Sequence, residues 1–250
     1  MIDAEMYGMM PSAKMQALDR LPPENMLTNP SIWPSAPPAA WLIFVGLALP
    51  TTFTDHYIDF ITPGILVLTM LGASLQGGSL LIFDKILGFL NKFLALPSSR
   101  ESILYGKILF ITTRGLIQAT VILILAFILG ATFFSPWSIA LTYGILGLFG
   151  VLLSAFSTTV ALYLSDHDAY AAFNAMVSMP LFFTSSALMP YDVMPSWLAP
   201  LAYWNPVSYA IDAIRALQEG VLAWGRIGAL VLLAVIVVGI SVRQFRKVTL

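Results

Sequence analysis

The sequence predicts an all-α integral membrane protein of about six transmembrane helices. Two features of its composition predict this fold class: 58% of the 250 residues are hydrophobic, and only 10% are charged. Soluble domains carry about 25% charged residues, so this chain lacks the charge to cover a water-exposed surface. Apolar stretches recur along most of the chain, and roughly 20 apolar residues in helix cross a bilayer core of about 30 Å. The predicted core is therefore a helix bundle in lipid.

Six segments fit this length, although unequally. The first, Ala39 to Leu49, is short and lies between two prolines, so it needs the preceding residues or an oblique path to cross the bilayer. The other five are longer and almost free of charge: Phe60 to Phe83, Ile103 to Phe134, Pro136 to Ser165, Ala169 to Tyr191, and Ile227 to Val242. We divide the chain into a polar N-terminal segment, residues 1–35, and a transmembrane domain, residues 36–250.

Lysine and arginine are concentrated in two regions outside these spans. Lys85, Lys92 and Arg100 lie between the second and third spans, and Arg243 and Lys247 follow the last one with a further arginine between them. Positive charge in short loops marks the cytoplasmic side, so both regions are expected there. With six spans, both termini are then cytoplasmic. We expect a multi-pass protein of the cell membrane, that is, the inner or plasma membrane.

A short amphipathic helix is predicted on the cytoplasmic side, from Asp84 to Leu96. Its apolar residues gather on one stripe, which consists of Ile86, Leu87, Leu90, Phe93 and Leu94. Pro97 ends this helix, and Ser98 with Glu101 forms a capping box that starts the next one. The pattern predicts a helix, a tight break and a second helix that runs into the third span.

Another amphipathic helix is predicted on the outer side, after the proline- and tryptophan-bearing stretch from Pro190 to Trp204. Asn205 and Pro206 form an N-cap and first-turn pair, and Gly220 is placed to end the helix. One face is apolar, with Val207, Ala210, Ile211, Ile214 and Leu217, and the other is polar, with Ser208, Asp212, Arg215 and Glu219. We expect this helix to lie at the interface or to re-enter the membrane shallowly.

Small residues recur on two of the spans. The second carries Ala73, Gly77 and Gly78, and the fourth carries a face of Gly144, Gly147, Gly150 and Ser154. Such residues let the backbones of membrane helices approach closely. We therefore expect tight helix packing at both places.

Lys107 and Arg114 are seven residues apart and share one face of the third span. A charge at membrane depth is by default a candidate functional residue, which gives one interpretation, a substrate contact. The other interpretation is that both side chains extend to the cytoplasmic interface, since an uncharged stretch after Arg114 is still long enough to span. We favour the second interpretation and keep the first as an alternative.

The chemistry of the sequence excludes several kinds of site. There is no loop of the form G-x-x-x-x-G-K-[ST], so ATP is expected to bind to another chain. Two histidines and no cysteine give no metal site, and we expect no cofactor on this chain. The net charge of -1 gives no indication of nucleic acid as a partner.

Three stretches carry a resemblance to a known family. They are Tyr57 to Thr69 (YIDFITPGILVLT), Gly88 to Lys107 (GFLNKFLALPSSRESILYGK) and Ser185 to Arg215 (SSALMPYDVMPSWLAPLAYWNPVSYAIDAIR). The chain resembles the permease subunits of type-2 ATP-binding-cassette (ABC) exporters, of the daunorubicin, multidrug and Nod-factor group.

The resemblance implies two functional segments. The ATPase-coupling segment comprises Lys85, Gly88, Phe89, Leu90, Lys92, Phe93, Pro97 and Arg100, and we expect its apolar residues Phe89, Leu90 and Phe93 to fill a groove on an ATPase. The outer signature segment comprises Pro190, Pro195, Trp197, Asn205, Pro206, Asp212 and Arg215. The implied partners are an ABC ATPase subunit, which holds ATP and Mg, a second permease subunit in a homodimer or heterodimer, and the lipid bilayer.

We therefore expect a transport subunit, not an enzyme, that exports a drug-like, lipid or glycan molecule. The alternative is an ion-coupled secondary transporter, which needs carboxylates or histidines inside the spans. A membrane enzyme, in turn, needs converging acid, base or metal groups. The sequence places its acidic residues at helix ends and in loops.

Overall fold

The computed structural model describes residues 57–94, 100–131 and 135–247. Within these residues the chain forms eight α-helices and no strand. In chain order they are α1 (Tyr57–Ile86), α2 (Phe89–Leu94), α3 (Arg100–Ile128), α4 (Pro136–Tyr163), α5 (His167–Phe183), α6 (Leu198–Trp204), α7 (Pro206–Gln218) and α8 (Trp224–Arg246). A single turn of 3-10 helix, Tyr191–Val193, lies between α5 and α6. The predicted all-α class is confirmed.

Among the described residues, four helices are long and apolar enough to cross a membrane, namely α1, α3, α4 and α8. They coincide with the second, third, fourth and sixth predicted spans. Large apolar side chains on α3 and α8, such as Ile128 and Val235, are exposed. A helix that is apolar on its outer face needs lipid around it. The protein is thus an all-α membrane protein.

The fifth predicted span, Ala169 to Tyr191, is shorter in the structure because α5 ends at Phe183. The Thr184 N–H and hydroxyl both donate to the Pro180 carbonyl oxygen, at 2.9 and 2.8 Å. The 17 residues of α5 extend about 26 Å at 1.5 Å per residue. The apolar residues after Phe183 suggested a longer span, but they belong to a turn that packs against the bundle.

Four predictions fall on residues that the structure does not describe. The first span, Ala39 to Leu49, and the domain boundary at residues 35 and 36 both lie outside the described residues. The predicted break at Pro97 and the capping serine, Ser98, lie in the gap between α2 and α3. These remain predictions.

Helix α1 lies at the centre of the bundle and packs against α3, α4, α5 and α7. Small residues make this packing close, as predicted: a Cβ added at Gly78 would lie 2.1 Å from the Tyr170 hydroxyl oxygen of α5. On α4 the predicted small-residue face is used unevenly. A Cβ added at Gly150 would lie 1.9 Å from the Met70 methyl group. A Cβ added at Gly144 or Gly147 would have no heavy atom of a neighbouring element within 4 Å.

Candidate functional site

The outer signature segment is built around the start of α7. Asn205 has an extended backbone, and its side-chain Oδ1 accepts a hydrogen bond from the Val207 N–H at 2.9 Å. Pro206 occupies the first turn, where no intrahelical N–H is required. At the other end, Gly220 has φ +75°, a left-handed conformation that favours glycine. The predicted caps of this helix are confirmed.

The Asn205 side chain also joins α7 to the end of α5. Its Nδ2 donates to the Leu181 carbonyl oxygen and to the Thr184 hydroxyl, each at 2.9 Å. Asn205 is only 5% exposed, so these partners replace water for a buried amide. One side chain therefore caps one helix and closes another.

Asp212, about two turns further along α7, accepts hydrogen bonds from two groups of the preceding connection. Its Oδ1 receives the Ser186 hydroxyl at 2.9 Å, and its Oδ2 receives the Tyr191 hydroxyl at 2.8 Å. Arg226 at the start of α8 lies 3.3 Å from Oδ2 and completes an ion pair. Burial and the Asp212 carboxylate raise the pKa of Tyr191 to about 12, so its hydroxyl stays protonated and continues to donate.

Arg215 and Gln218 attach α7 to the first turn of α1. The Arg215 guanidinium donates to the Phe60 carbonyl oxygen at 3.2 Å and stacks 3.9 Å from the centre of the Phe60 ring. Gln218 Nε2 donates to the Asp59 carbonyl oxygen at 3.0 Å. A cation over an aromatic face is stabilised by the ring quadrupole. The polar face of α7 is thus bonded to α1 and α8 through side-chain contacts.

The position of α7 differs from the expected shallow interfacial one in a specific way. All five residues of its predicted apolar face are buried, and α7 packs against α1, α4 and α8. Ser208, predicted on the polar face, is fully buried and accepts a hydrogen bond from the Ser186 N–H at 3.0 Å. A buried hydroxyl is tolerated at Ser208 because the connection between α5 and α6 supplies a hydrogen-bond donor, the Ser186 N–H.

The remaining residues of the outer signature segment surround this network. Pro190 precedes the 3-10 turn, and the Pro195 carbonyl oxygen accepts from the Leu198 N–H at 2.9 Å. Trp197 is 67% exposed, as are other aromatic residues of this end of the bundle such as Trp204 and Trp224. Tryptophan favours the headgroup level of a bilayer, so this end matches the predicted aromatic region.

On the opposite end of the bundle, the predicted helix from Asp84 to Leu96 is divided. Helix α1 continues to Ile86, and Gly88 then turns the chain with φ +71° before α2 begins at Phe89. Only glycine adopts that conformation without strain. Asp84 and Lys85 therefore belong to the last turn of α1 and not to the amphipathic helix.

Both of these charged residues contact neighbouring spans. Lys85 Nζ donates to three carbonyl oxygens at the C-terminal end of α4, those of Ala161, Leu162 and Leu164, at 3.2, 2.9 and 2.6 Å. An ammonium group at this position satisfies unpaired carbonyls and opposes the negative end of the helix dipole. Asp84 forms an ion pair with Lys107 of α3. Lys85 therefore caps the C-terminal end of α4, and its role in ATPase coupling remains a prediction.

The apolar residues of the coupling segment are also divided by the structure. Leu90 is only 4% exposed and belongs to a buried cluster with residues of α1 and α3. Phe89, in contrast, is 44% exposed, and the Lys92 Nζ lies 5.4 Å from the centre of its ring. In this arrangement the Leu90 side chain lies inside the bundle and Phe89 faces outward, while the predicted contact of the segment with an ATPase remains a prediction. The side chains of Phe93, Pro97 and Arg100 lie outside the described residues.

Sequence reasoning missed several members of the outer network. Ser186 and Tyr191, from the connection before α6, and Arg226, from α8, contact Asp212 or Ser208, and no spacing in the sequence relates them. The signal that was available is the density of hydroxyl groups before Pro190, where Thr184, Ser185 and Ser186 are consecutive.

A model of the ABC-2 type transporter family matches residues 25–218 of the chain. The chain belongs to the ABC-2 type transporter family. The predicted family is therefore confirmed, and both functional segments described above lie inside the matched region of this ABC-2 protein.

Three named relatives extend this result. The ABC-2 protein is 36% identical over 189 residues to a putative transport permease, ycf38, of Cyanophora paradoxa. The aligned region covers 73% of this chain and 65% of the relative. A probable doxorubicin resistance ABC transporter permease of Mycobacterium tuberculosis is 32% identical over 161 residues, which are 62% of this chain and 58% of the relative. A daunorubicin resistance ABC transporter permease of Streptomyces coeruleorubidus is 25% identical over 178 residues, with 70% and 62% covered.

The chain spans slightly less than two thirds of the length of these relatives. All three are named as permeases, which agrees with the prediction of a transport subunit and not an enzyme.

Proposed function

We propose that this chain is the membrane-spanning subunit of an ATP-driven exporter and that a separate ABC ATPase subunit supplies the energy. The observation that carries the proposal is the family match over residues 25–218. The names of two relatives, which refer to doxorubicin and daunorubicin resistance, support export as the direction of transport. The proposed cargo is a drug-like, lipid or glycan molecule.

The orientation that we propose places α2 and both termini in the cytoplasm and α6 and α7 on the outer side of the cell membrane. The distribution of lysine and arginine supports it, since Lys85 and Lys92 lie at the α2 end and three cations end α8. The exposed tryptophans at the α7 end support a headgroup position for that side.

We propose α2 as the contact to the ATPase, with Phe89 as the anchor. Exposed aromatic residues next to a cation are frequent centres of protein interfaces. Leu90, on the neighbouring position, belongs to a cluster of buried residues that includes Leu81 of α1 and Leu104 of α3. A force applied to α2 would therefore be transmitted into the bundle through packed side chains. The family resemblance further implies that two permease subunits assemble with two ATPases.

Co-purification tests the contact. The chain is co-expressed with the ABC ATPases of its source genome, and the wild type is compared with a variant that combines Phe89→Ala and Phe93→Ala. Loss of two interface anchors, each of about 1–2 kcal/mol, should lower the recovered ATPase by at least about tenfold. A control double variant combines Leu232→Ala and Val235→Ala, two exposed apolar residues in the middle of α8.

The control variant should retain the ATPase. If the α2 variant retains it as well, α2 is not the docking element. If no ABC ATPase co-purifies with the wild type, the proposed function itself fails.

A further inference from the structure

We infer that a polar groove in the inner half of the bundle binds the anionic headgroup of a lipid-like molecule, held by Arg114. The groove has a volume of about 370 Å³ and lies between α1, α3 and α5. Its polar lining residues are Gln76, Ser79, Arg114, His167 and Asn174, together with Tyr170. The inference rests on the proposed export function, because it concerns the class of molecule that is exported.

The depth of Arg114 is set by its neighbours on α3. Lys107 lies two turns earlier on the same helix face and pairs with Asp84 near the inner end of α1. Seven residues of helix correspond to about 10 Å, so Arg114 lies about that far beyond the ion pair toward the bilayer centre. Asn174 lies seven residues beyond His167, the first residue of α5, and reaches a similar depth. An arginine at such a depth is costly unless it has a partner.

The groove has positive charge without a carboxylate to balance it. Within the part of the chain that the structure describes, the ion pairs are made by Lys107, Arg226 and Arg246 and do not include Arg114. The groove lining contains no aspartate or glutamate. A phosphate- or carboxylate-type group next to Arg114 would form charge-assisted hydrogen bonds with its planar guanidinium.

Asn174 points to a second property of the headgroup. Its Oδ1 is inaccessible to solvent and accepts no hydrogen bond from any residue that the structure describes. A buried unsatisfied acceptor costs about 1–3 kcal/mol. A headgroup that carries a hydroxyl beside its anionic oxygens, such as a phosphoglycerol or a sugar phosphate, would satisfy Asn174 and Arg114 together.

The surface beyond Arg114 fits a hydrocarbon tail. Ile117, Val121 and Ile124 follow on the same face of α3, toward the outer end, and all three are exposed. Because α3 spans the membrane, this strip faces apolar surroundings. A molecule from the inner leaflet has its headgroup near the inner interface and its tail toward the bilayer centre. The order of Arg114 followed by an apolar strip matches that arrangement.

Binding is measured on the full chain alone, in phosphatidylcholine nanodiscs, with a fluorescent lysophosphatidylglycerol as the probe. Loss of a charge-assisted contact is worth about 1.5–3 kcal/mol, so Arg114→Gln should weaken binding by about 10- to 100-fold. Arg114→Lys retains the charge and should bind with intermediate affinity. The control, Arg243→Gln, removes an exposed cation at the end of α8 and should bind like the wild type.

Two further arms identify the ligand class. Fluorescent lysophosphatidylcholine, which is zwitterionic, should bind with much lower affinity, and free glycerol phosphate should not compete at matched concentration because it lacks the tail. Equal binding by Arg114→Gln and the wild type would overturn the site. Equal binding of the zwitterionic probe would overturn the charge selectivity, and full competition by glycerol phosphate would overturn the lipid-like ligand.

Correct folding is checked by the melting temperature and elution profile of each variant, and Asn174→Leu provides a second variant of the same groove with the same expected loss. The assay contains no ATPase. Arg114-dependent binding by a chain that recruits no ATPase would therefore retain the site and refute the export function, whereas ATPase recruitment without such binding would refute the site alone.

Discussion

Asn205 shows how a single side chain joins two helices at the outer end of the bundle. Its Oδ1 caps α7, and its Nδ2 satisfies the Leu181 carbonyl oxygen and the Thr184 hydroxyl at the end of α5. Asn205 itself is only 5% exposed, so water is a poor substitute for these contacts. Stability at this end of the molecule should therefore depend on this residue.

Replacement of Asn205 tests that dependence. Asn205→Ala removes a cap worth about 1 kcal/mol and leaves buried partners unsatisfied, so we expect a total loss of about 2 kcal/mol in the free energy of unfolding. Asn205→Ser retains a capping oxygen but is too short to reach Leu181, and it should lose about half as much. Unfolding in mild detergent measures both. An alanine variant as stable as the wild type would contradict the assigned role.

At the scale of elements, α1 organises the bundle through close approaches at particular glycines. Gly78 lies against α5, where the Tyr170 hydroxyl donates to the Leu75 carbonyl oxygen and is thereby fixed in place. Gly72, on the same helix, has no heavy atom within 4 Å of the position of an added Cβ. Substitution at Gly78 therefore tests helix packing, whereas substitution at Gly72 tests helix propensity alone.

Alanine at these glycines should have opposite effects. Gly78→Ala places a methyl group 2.1 Å from the Tyr170 hydroxyl and 2.7 Å from the Ser157 carbonyl oxygen, so overpacking should cost about 1–3 kcal/mol. Gly72→Ala should be neutral or should stabilise by about 0.5–1 kcal/mol, because alanine loses less backbone entropy in a helix. Thermal unfolding of the two variants under identical conditions provides the measurement. Equal destabilisation by both would show that the contact of α1 with α5 is not the cause.

The whole molecule has two chemically different ends. One end carries α2 and most of the cations of the described residues, and the other carries exposed tryptophans and the Asp212 network. This difference supports the proposed orientation, since positive charge is usually retained on the cytoplasmic side.

The chain contains no cysteine, so single cysteines can report this orientation. We expect Trp197→Cys to react with a membrane-impermeant maleimide in intact cells, because this exposed residue lies at the end of the bundle that we propose to be the outer one. Asn91→Cys, in α2, should react only after the membrane is permeabilised. Reaction of Asn91→Cys in intact cells would reverse the proposed topology.

The sequence by itself determined the features that depend on local pattern. These are the all-α membrane class, the four long spans, the caps at Asn205 and Gly220, and the apolar face of α7. Each follows from residues within one segment, because hydropathy, helical periodicity and capping chemistry act over a few turns of one chain. The family resemblance added the two functional segments.

Only the tertiary structure decided which faces meet. It ended α5 at Phe183, buried Ser208 and Leu90, and placed Lys85 on the carbonyl groups of α4. It also brought Ser186, Tyr191 and Arg226 to one carboxylate, and it set Arg114 in a groove between three helices. The partners in these contacts are far apart in the chain, so their meeting depends on the packing of whole helices, which a local pattern does not specify.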